Sequence, residues 1–124
     1  MTAAVDSFIE KYARRYSAAD LDGVVELCLW PFLAIREFVP IHLDDRNAVR
    51  DHFASVIDAY RHAGFASFAP VAIDTRQLGE RAAFTTVRWH ALDAEANVAR
   101  DTQTTYHLLA TTHGWRLLSY TNHF

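Results

Sequence analysis

Four long segments rich in valine, threonine and aromatic residues crowd the chain after Gly64, at 68–74, 81–92, 100–111 and 115–123. Gly79 and Gly114 fall at turns between them, so the second half reads as consecutive antiparallel strands. Both faces of such a sheet carry large apolar side chains, and neither can be left wholly in water. One face must hold helices, and the other must meet something else.

The helices come first. Val5, Phe8, Ile9, Tyr12 and Tyr16 form one stripe of a 3.6-residue period, with Glu10, Lys11, Arg14 and Arg15 off it. Thr2 is the expected N-cap, and Ser17, Ala18 and Ala19 end the element. Asp20 caps a second helix expected over 21–29, stopped ahead of Pro31, because proline disfavours helical geometry in the residue before it. Residues 32–37 read as a strand and 40–43 as its hairpin partner. Asp44 and Asp45 then cap a third helix whose buried stripe is Val49, Phe53, Val56, Ile57 and Tyr60, with Gly64 at its C′ position. Helices first and strands last is the α+β pattern, in one domain spanning 1–124.

Composition narrows the function classes. A hydrophobic share of 51% with 22% charged residues excludes a disordered chain. Residues 1–62 hold seven basic and ten acidic side chains and 63–124 hold five of each, so neither half carries the positive excess that grips nucleic acid. The lone Cys28 excludes an intramolecular disulfide or a multi-cysteine zinc site. No apolar run approaches the ~20 residues that span a bilayer. The first residues lack the basic start and apolar stretch of a signal peptide, and the expectation is a cytoplasmic protein that binds neither membrane nor nucleic acid. No glycine-rich phosphate loop occurs, and the seven histidines show no HxxxH or HExxH spacing, so no cofactor and no metal are expected.

Residues 12–23 (YARRYSAADLDG), the exit into strands at 28–31, residues 46–53 (RNAVRDHF) and the Gly114-Trp115-Arg116 start of the last strand carry a resemblance. Together they resemble the nuclear-transport-factor-2-like, or SnoaL-like, superfamily, related to the ketosteroid isomerase fold. The resemblance implies a cone-shaped, curved antiparallel sheet wrapped around three helices (a cystatin-like α+β roll) with an open mouth. It puts Tyr12 on the tyrosine position of the isomerase oxyanion hole, Tyr106 near its second donor, and Arg36 near the catalytic base. Arginine stays protonated at neutral pH and abstracts no proton. The base is missing, and isomerase activity does not carry over.

The same resemblance sets strand faces. It points Thr86, Arg88 and His90, then Thr104, Tyr106 and Leu108, then Ser119, Thr121 and His123 into the cone. Alternation sends Val87, Trp89, His107, Leu109, Leu118 and Tyr120 to the outer face, which would suit a homodimer. A one-residue register error would exchange the lists. The candidate ligand-binding residues are therefore Tyr12, Tyr16, Trp30, Phe53, Arg88, His90, Tyr106, Ser119, Thr121 and His123, with Tyr12, His90 and Tyr106 as catalytic candidates. Arg88 is the most informative, since an interior guanidinium needs a carboxylate or a bound anion. His123 suits acid–base work by residue type, Cys28 reads as a small core hydrophobe, and Trp30 and Phe32 pack or shape the mouth.

Three readings stand. The first is a binding domain for a small, partly apolar molecule bearing a carbonyl or carboxylate. The second is an isomerase, cyclase or dehydratase in which tyrosines polarise a carbonyl and His90 or His123 moves the proton. The third is a dimerisation or interaction module working through an outer face built on Trp89 and Tyr120.

Overall fold

The computed structural model describes residues 2–123, and the expected cap at Thr2 rests on a side chain outside that description. The elements are α1 (Thr2–Ser17), α2 (Leu21–Glu26), β1 (Cys28–Arg36), β2 (Val39–Leu43), α3 (Arg46–His62), β3 (Ser67–Leu78), β4 (Ala82–Leu92), β5 (Val98–Thr111) and β6 (Gly114–Asn122). Local capping chemistry starts two of the helices. Asp20 accepts from the Gly23 amide at 3.0 Å, and Asp45 accepts from the Ala48 amide at 2.8 Å. Gly64, at φ +93°, takes the left-handed position that ends α3.

The second helix is shorter than expected. It stops at Glu26, and Cys28 and Leu29 already belong to β1, which carries a cis Trp30–Pro31 bond. The cause is nonlocal: the Leu27 carbonyl accepts from the Leu117 amide at 2.8 Å, so β6 claims the segment for the sheet.

The six strands run in the order β2-β1-β6-β5-β4-β3. Every neighbouring pair is antiparallel except β1 and β6, which are parallel, so the sheet is mixed and not wholly antiparallel as expected. The three helices lie on one face. Val5, Ile9, Val24, Val25, Val49 and Phe53 meet Phe32, Ala34, Val87, Leu108 and Leu117 in a single buried cluster. At roughly 1.5–3 kcal/mol for each large apolar side chain removed from water, this cluster is the main favourable term of the fold.

Two irregularities set which side chains face it. Between Ala91 and Leu92 the β4–β5 register shifts, and between His107 and Leu108 the β5–β6 register shifts. A β-bulge adds one residue to one strand and so reverses the facing of everything beyond it. On β4 the buried set is Ala83, Thr85, Val87, Trp89 and Ala91, and on β6 it is Leu117 and Tyr120, with Leu118 as the extra residue. The β5 assignment of Thr104, Tyr106 and Leu108 to the interior holds. The assignments on β4 and β6 are corrected: Thr86, Arg88, His90, Ser119 and Thr121 lie on the other face, while Val87, Trp89 and Tyr120 point inward.

Candidate functional site

A cavity opens between the helices and the concave face of the sheet. Its volume is about 80 Å³, and it is continuous with solvent. Its deep wall is aromatic. Tyr12 and Tyr106 are 3% and 4% exposed, with ring centroids 5.7 Å apart, and the Trp89 indole Nε1 donates to the Tyr106 hydroxyl at 3.0 Å. Burial, the largest cause, pushes both phenols well up from their ordinary value, with hydrogen bonds from Trp89 and Tyr12 opposing it at Tyr106. Both therefore stay protonated across the physiological range and act as neutral groups.

Arg36 supplies the polar heart of the cavity. Alternation along β1 puts Phe32, Ala34 and Arg36 on one face, and the first two are fully buried. The half-buried guanidinium donates from Nη2 to the Tyr60 hydroxyl at 2.9 Å and from Nη1 to the Tyr120 hydroxyl at 3.3 Å. No carboxylate lies within ion-pair distance of it among the described residues. Behind Tyr120, the His52 Nε2 stands 2.6 Å from the same hydroxyl. Burial first and the Arg36 charge second push His52 down to about 4, so the imidazole is neutral at pH 7 and can take the Tyr120 proton in a hydrogen bond. Tyr120 itself is pushed up to about 12 by burial, with Arg36 opposing.

Of the residues expected at a site, Tyr12, Tyr16, Phe53 and Tyr106 line this cavity, and His123 reaches its rim. The His123 ring turns toward Thr105, with Nε2 2.6 Å from the hydroxyl. Arg88 and His90 are outside. Asp101, on the outward face of β5, takes Arg88 through Nε at 2.9 Å and Nη2 at 2.5 Å, and lies 3.7 Å from His90. The counter-charge demanded of Arg88 is thus met on the surface. Ser119 and Thr121 share that outer side, and Trp30, 44% exposed, does not line the cavity. Cys28 is buried, its thiol donating to the Val24 carbonyl at 3.4 Å and pushed up by desolvation, which makes it unreactive.

Arg36, His52, Tyr60, Trp89 and Tyr120 were absent from the expected site. A signal existed for His52: it sits at i+3 from Val49 and i−4 from Val56, on the edge of the stripe read for α3. Among the described residues no three His, Cys, Asp or Glu side chains gather as a metal-ligand set. No helix there is long and apolar enough to cross a membrane.

No curated protein matches the chain in sequence. Solved structures match in fold. A protein of unknown function with a cystatin-like fold from Nostoc punctiforme superposes with a TM-score of 0.78 at 10% identity, over 98% of this chain and 88% of that one. An NTF2-like protein of unknown function from Shewanella oneidensis gives 0.75 at 12% identity, over 98% and 97%. A candidate dehydratase of the NTF2-like family from Streptomyces avermitilis gives 0.74 at 14%, over 97% and 92%. Residues 3–124 match the model of the family described as NTF2-like protein (DUF6841), and the chain belongs to that family.

Proposed function

We propose that this chain is a cytoplasmic binding domain whose cavity takes a small, partly apolar molecule carrying a carbonyl or carboxylate. One observation supports it above the rest: among the described residues the cavity wall holds two arginines, Arg36 and Arg100, and no aspartate or glutamate, amid aromatic rings. Thermal denaturation against a panel of aryl carboxylates and aryl ketones tests the reading. Ligand at 100 times its Kd adds ~2.7 kcal/mol and raises Tm by roughly 10 °C. A panel in which every member leaves Tm unchanged ends it.

A second reading, an isomerase, cyclase or dehydratase, is favoured by the His52–Tyr120 contact, which sets a neutral base behind a cavity hydroxyl. His52 here replaces His90 and His123 as the proton carrier, and Tyr12→Phe lowers turnover of a carbonyl substrate at unchanged Tm. A homodimer through the outer sheet face is also proposed. Trp89 and Tyr120 no longer motivate it, but Phe84, 43% exposed and in tilted contact with the His107 ring at 4.8 Å, does, with exposed Leu109 on the same face. Sedimentation equilibrium giving a monomer mass removes it.

A further inference from the structure

We propose that the cavity is built for a monocarboxylate with a flat apolar body, seated with its carboxylate on Arg36 and the Tyr60 hydroxyl. This rests on the binding reading above and chooses between the two head groups that reading allows.

Arg36 has five N–H donors, of which the two tyrosine contacts engage two, one on each terminal nitrogen. A planar, two-oxygen anion matches the remaining fork, whereas a ketone oxygen satisfies one donor and leaves the charge uncompensated. The two tyrosines differ in what remains to them. Both oxygens accept from Arg36, but the Tyr120 proton has His52 as its acceptor, while the Tyr60 proton has no acceptor among the described residues. Tyr60 is therefore left as a donor beside the cation, whose guanidinium carbon lies 5.6 Å from the Tyr60 ring centre.

The charge count fixes the valence. The groups facing Arg36 are the hydroxyls of Tyr60 from α3 and Tyr120 from β6, with His52 behind Tyr120; none is a carboxylate, burial pushes Tyr120 up, and burial with the Arg36 charge pushes His52 down to about 4. Arg36 is the half-buried charge of the cavity, whereas Arg100, also on its wall, is exposed and screened by water, so the seat itself compensates one negative charge. A dianion would bring a second, uncompensated charge into an apolar wall. The body of the ligand is set by the rings around the seat. Tyr60 packs on Phe65 at 5.7 Å and on Phe68 at 5.5 Å, and Tyr16 meets Phe68 edge-on at 5.1 Å. Such a cluster receives a flat ring or conjugated chain in offset or edge-to-face contact.

Isothermal titration at pH 7.5 with 3-phenylpropionate and its neutral counterpart 3-phenylpropanamide tests the seat. The wild-type protein is expected to bind the acid about tenfold or more tightly than the amide, the usual advantage of charge-assisted bonds. Arg36→Met abolishes the preference while still binding the amide, which also reports that the cavity has formed. Tyr60→Phe, a milder change should the Arg36 variant fail to fold, cuts the preference about threefold. Arg88→Gln, on the outer face, keeps it. Equal binding of acid and amide to the wild type, or a preference that survives Arg36→Met, overturns the monocarboxylate seat and leaves the binding reading in place. If neither probe binds the wild type, the seat and the binding reading fall together.

Discussion

Acidification from pH 7.5 to 4.5 should cost this fold a measurable share of stability through one side chain, His52. Its imidazole is held from the ordinary 6.5 down to about 4, first by burial and second by the Arg36 charge. The folded state thus disfavours the protonated ring, and between pH 6.5 and 4 the unfolded chain binds more protons. The stabilisation is fully present above 6.5 and is lost as pH falls toward 4. At ~1.4 kcal/mol for each pH unit between the two values, the ceiling is ~3 kcal/mol. The ring is only partly buried, and solvent screening brings the expected loss to about 1–2 kcal/mol. Urea unfolding of wild type and His52→Gln at both pH values isolates it. Glutamine keeps an acceptor for the Tyr120 hydroxyl without a titrating ring. The carboxylates held low by arginines, Asp22 and Asp101, titrate equally in both proteins. Wild type should lose about 1–2 kcal/mol more than the variant. Equal losses would refute the placement of His52. Arg36→Met should move the His52 titration part of the way back up, followed through the imidazole Hε1 resonance.

Three further outcomes are expected. Gly23→Ala should destabilise by about 1 kcal/mol in urea unfolding, against the ordinary helix preference for alanine. Its Cβ would stand 2.1 Å from the Oδ2 of the capping Asp20, and a stabilised variant would contradict the cap geometry. Leu117→Ala, at a fully buried position in the shared core, should cost about 2–5 kcal/mol in the same assay. Finally, Tyr12, Tyr16, Tyr106 and Tyr120 are all pushed up by burial, so the folded chain favours their protonated forms; this contribution is present below pH 10 and lost above it. Absorbance at 295 nm should show those four tyrosinates appearing together with unfolding, not ahead of it.

What was legible in the sequence was local. The α1 stripe and the Asp20 and Asp45 caps depend on residues within one or two turns of each other, and the structure keeps them. The end of α2 was not legible, because a strand that follows 90 residues later takes the Leu27 carbonyl. Arg36 is an instructive case. The family resemblance puts it at a catalytic-base position, where arginine cannot serve as a base. The demand placed on Arg88, that an interior guanidinium must meet a carboxylate or an anion, applies at Arg36 instead.

The misassigned strand faces share one physical origin. On the turn side of Ala99, the extra residue of β5, the two strands pair as Leu92 with Val98. Continued without interruption, that register sets Thr86 opposite Thr104 and carries Thr86, Arg88 and His90 inward. Likewise the Leu108–Leu117 register near the β5–β6 turn, continued unbroken, sets Tyr106 opposite Ser119 and carries Ser119 and Thr121 inward. Both expectations are the sheet as it would be without its bulges. No glycine or proline marks either one; the extra residues, Ala99 on β5 and Leu118 on β6, are ordinary strand residues, and a bulge there is decided by how the whole sheet bends over the helices. The second bulge also makes the polar site. It turns Tyr120 onto the face of Ala34, its direct partner on β1, and so beside Arg36 two residues on. With Leu118 in register, Tyr120 would face outward, and the Arg36 and His52 contacts would have no hydroxyl to share. The same extra residue that defeats a simple alternation therefore assembles the Arg36, Tyr120 and His52 cluster of the cavity.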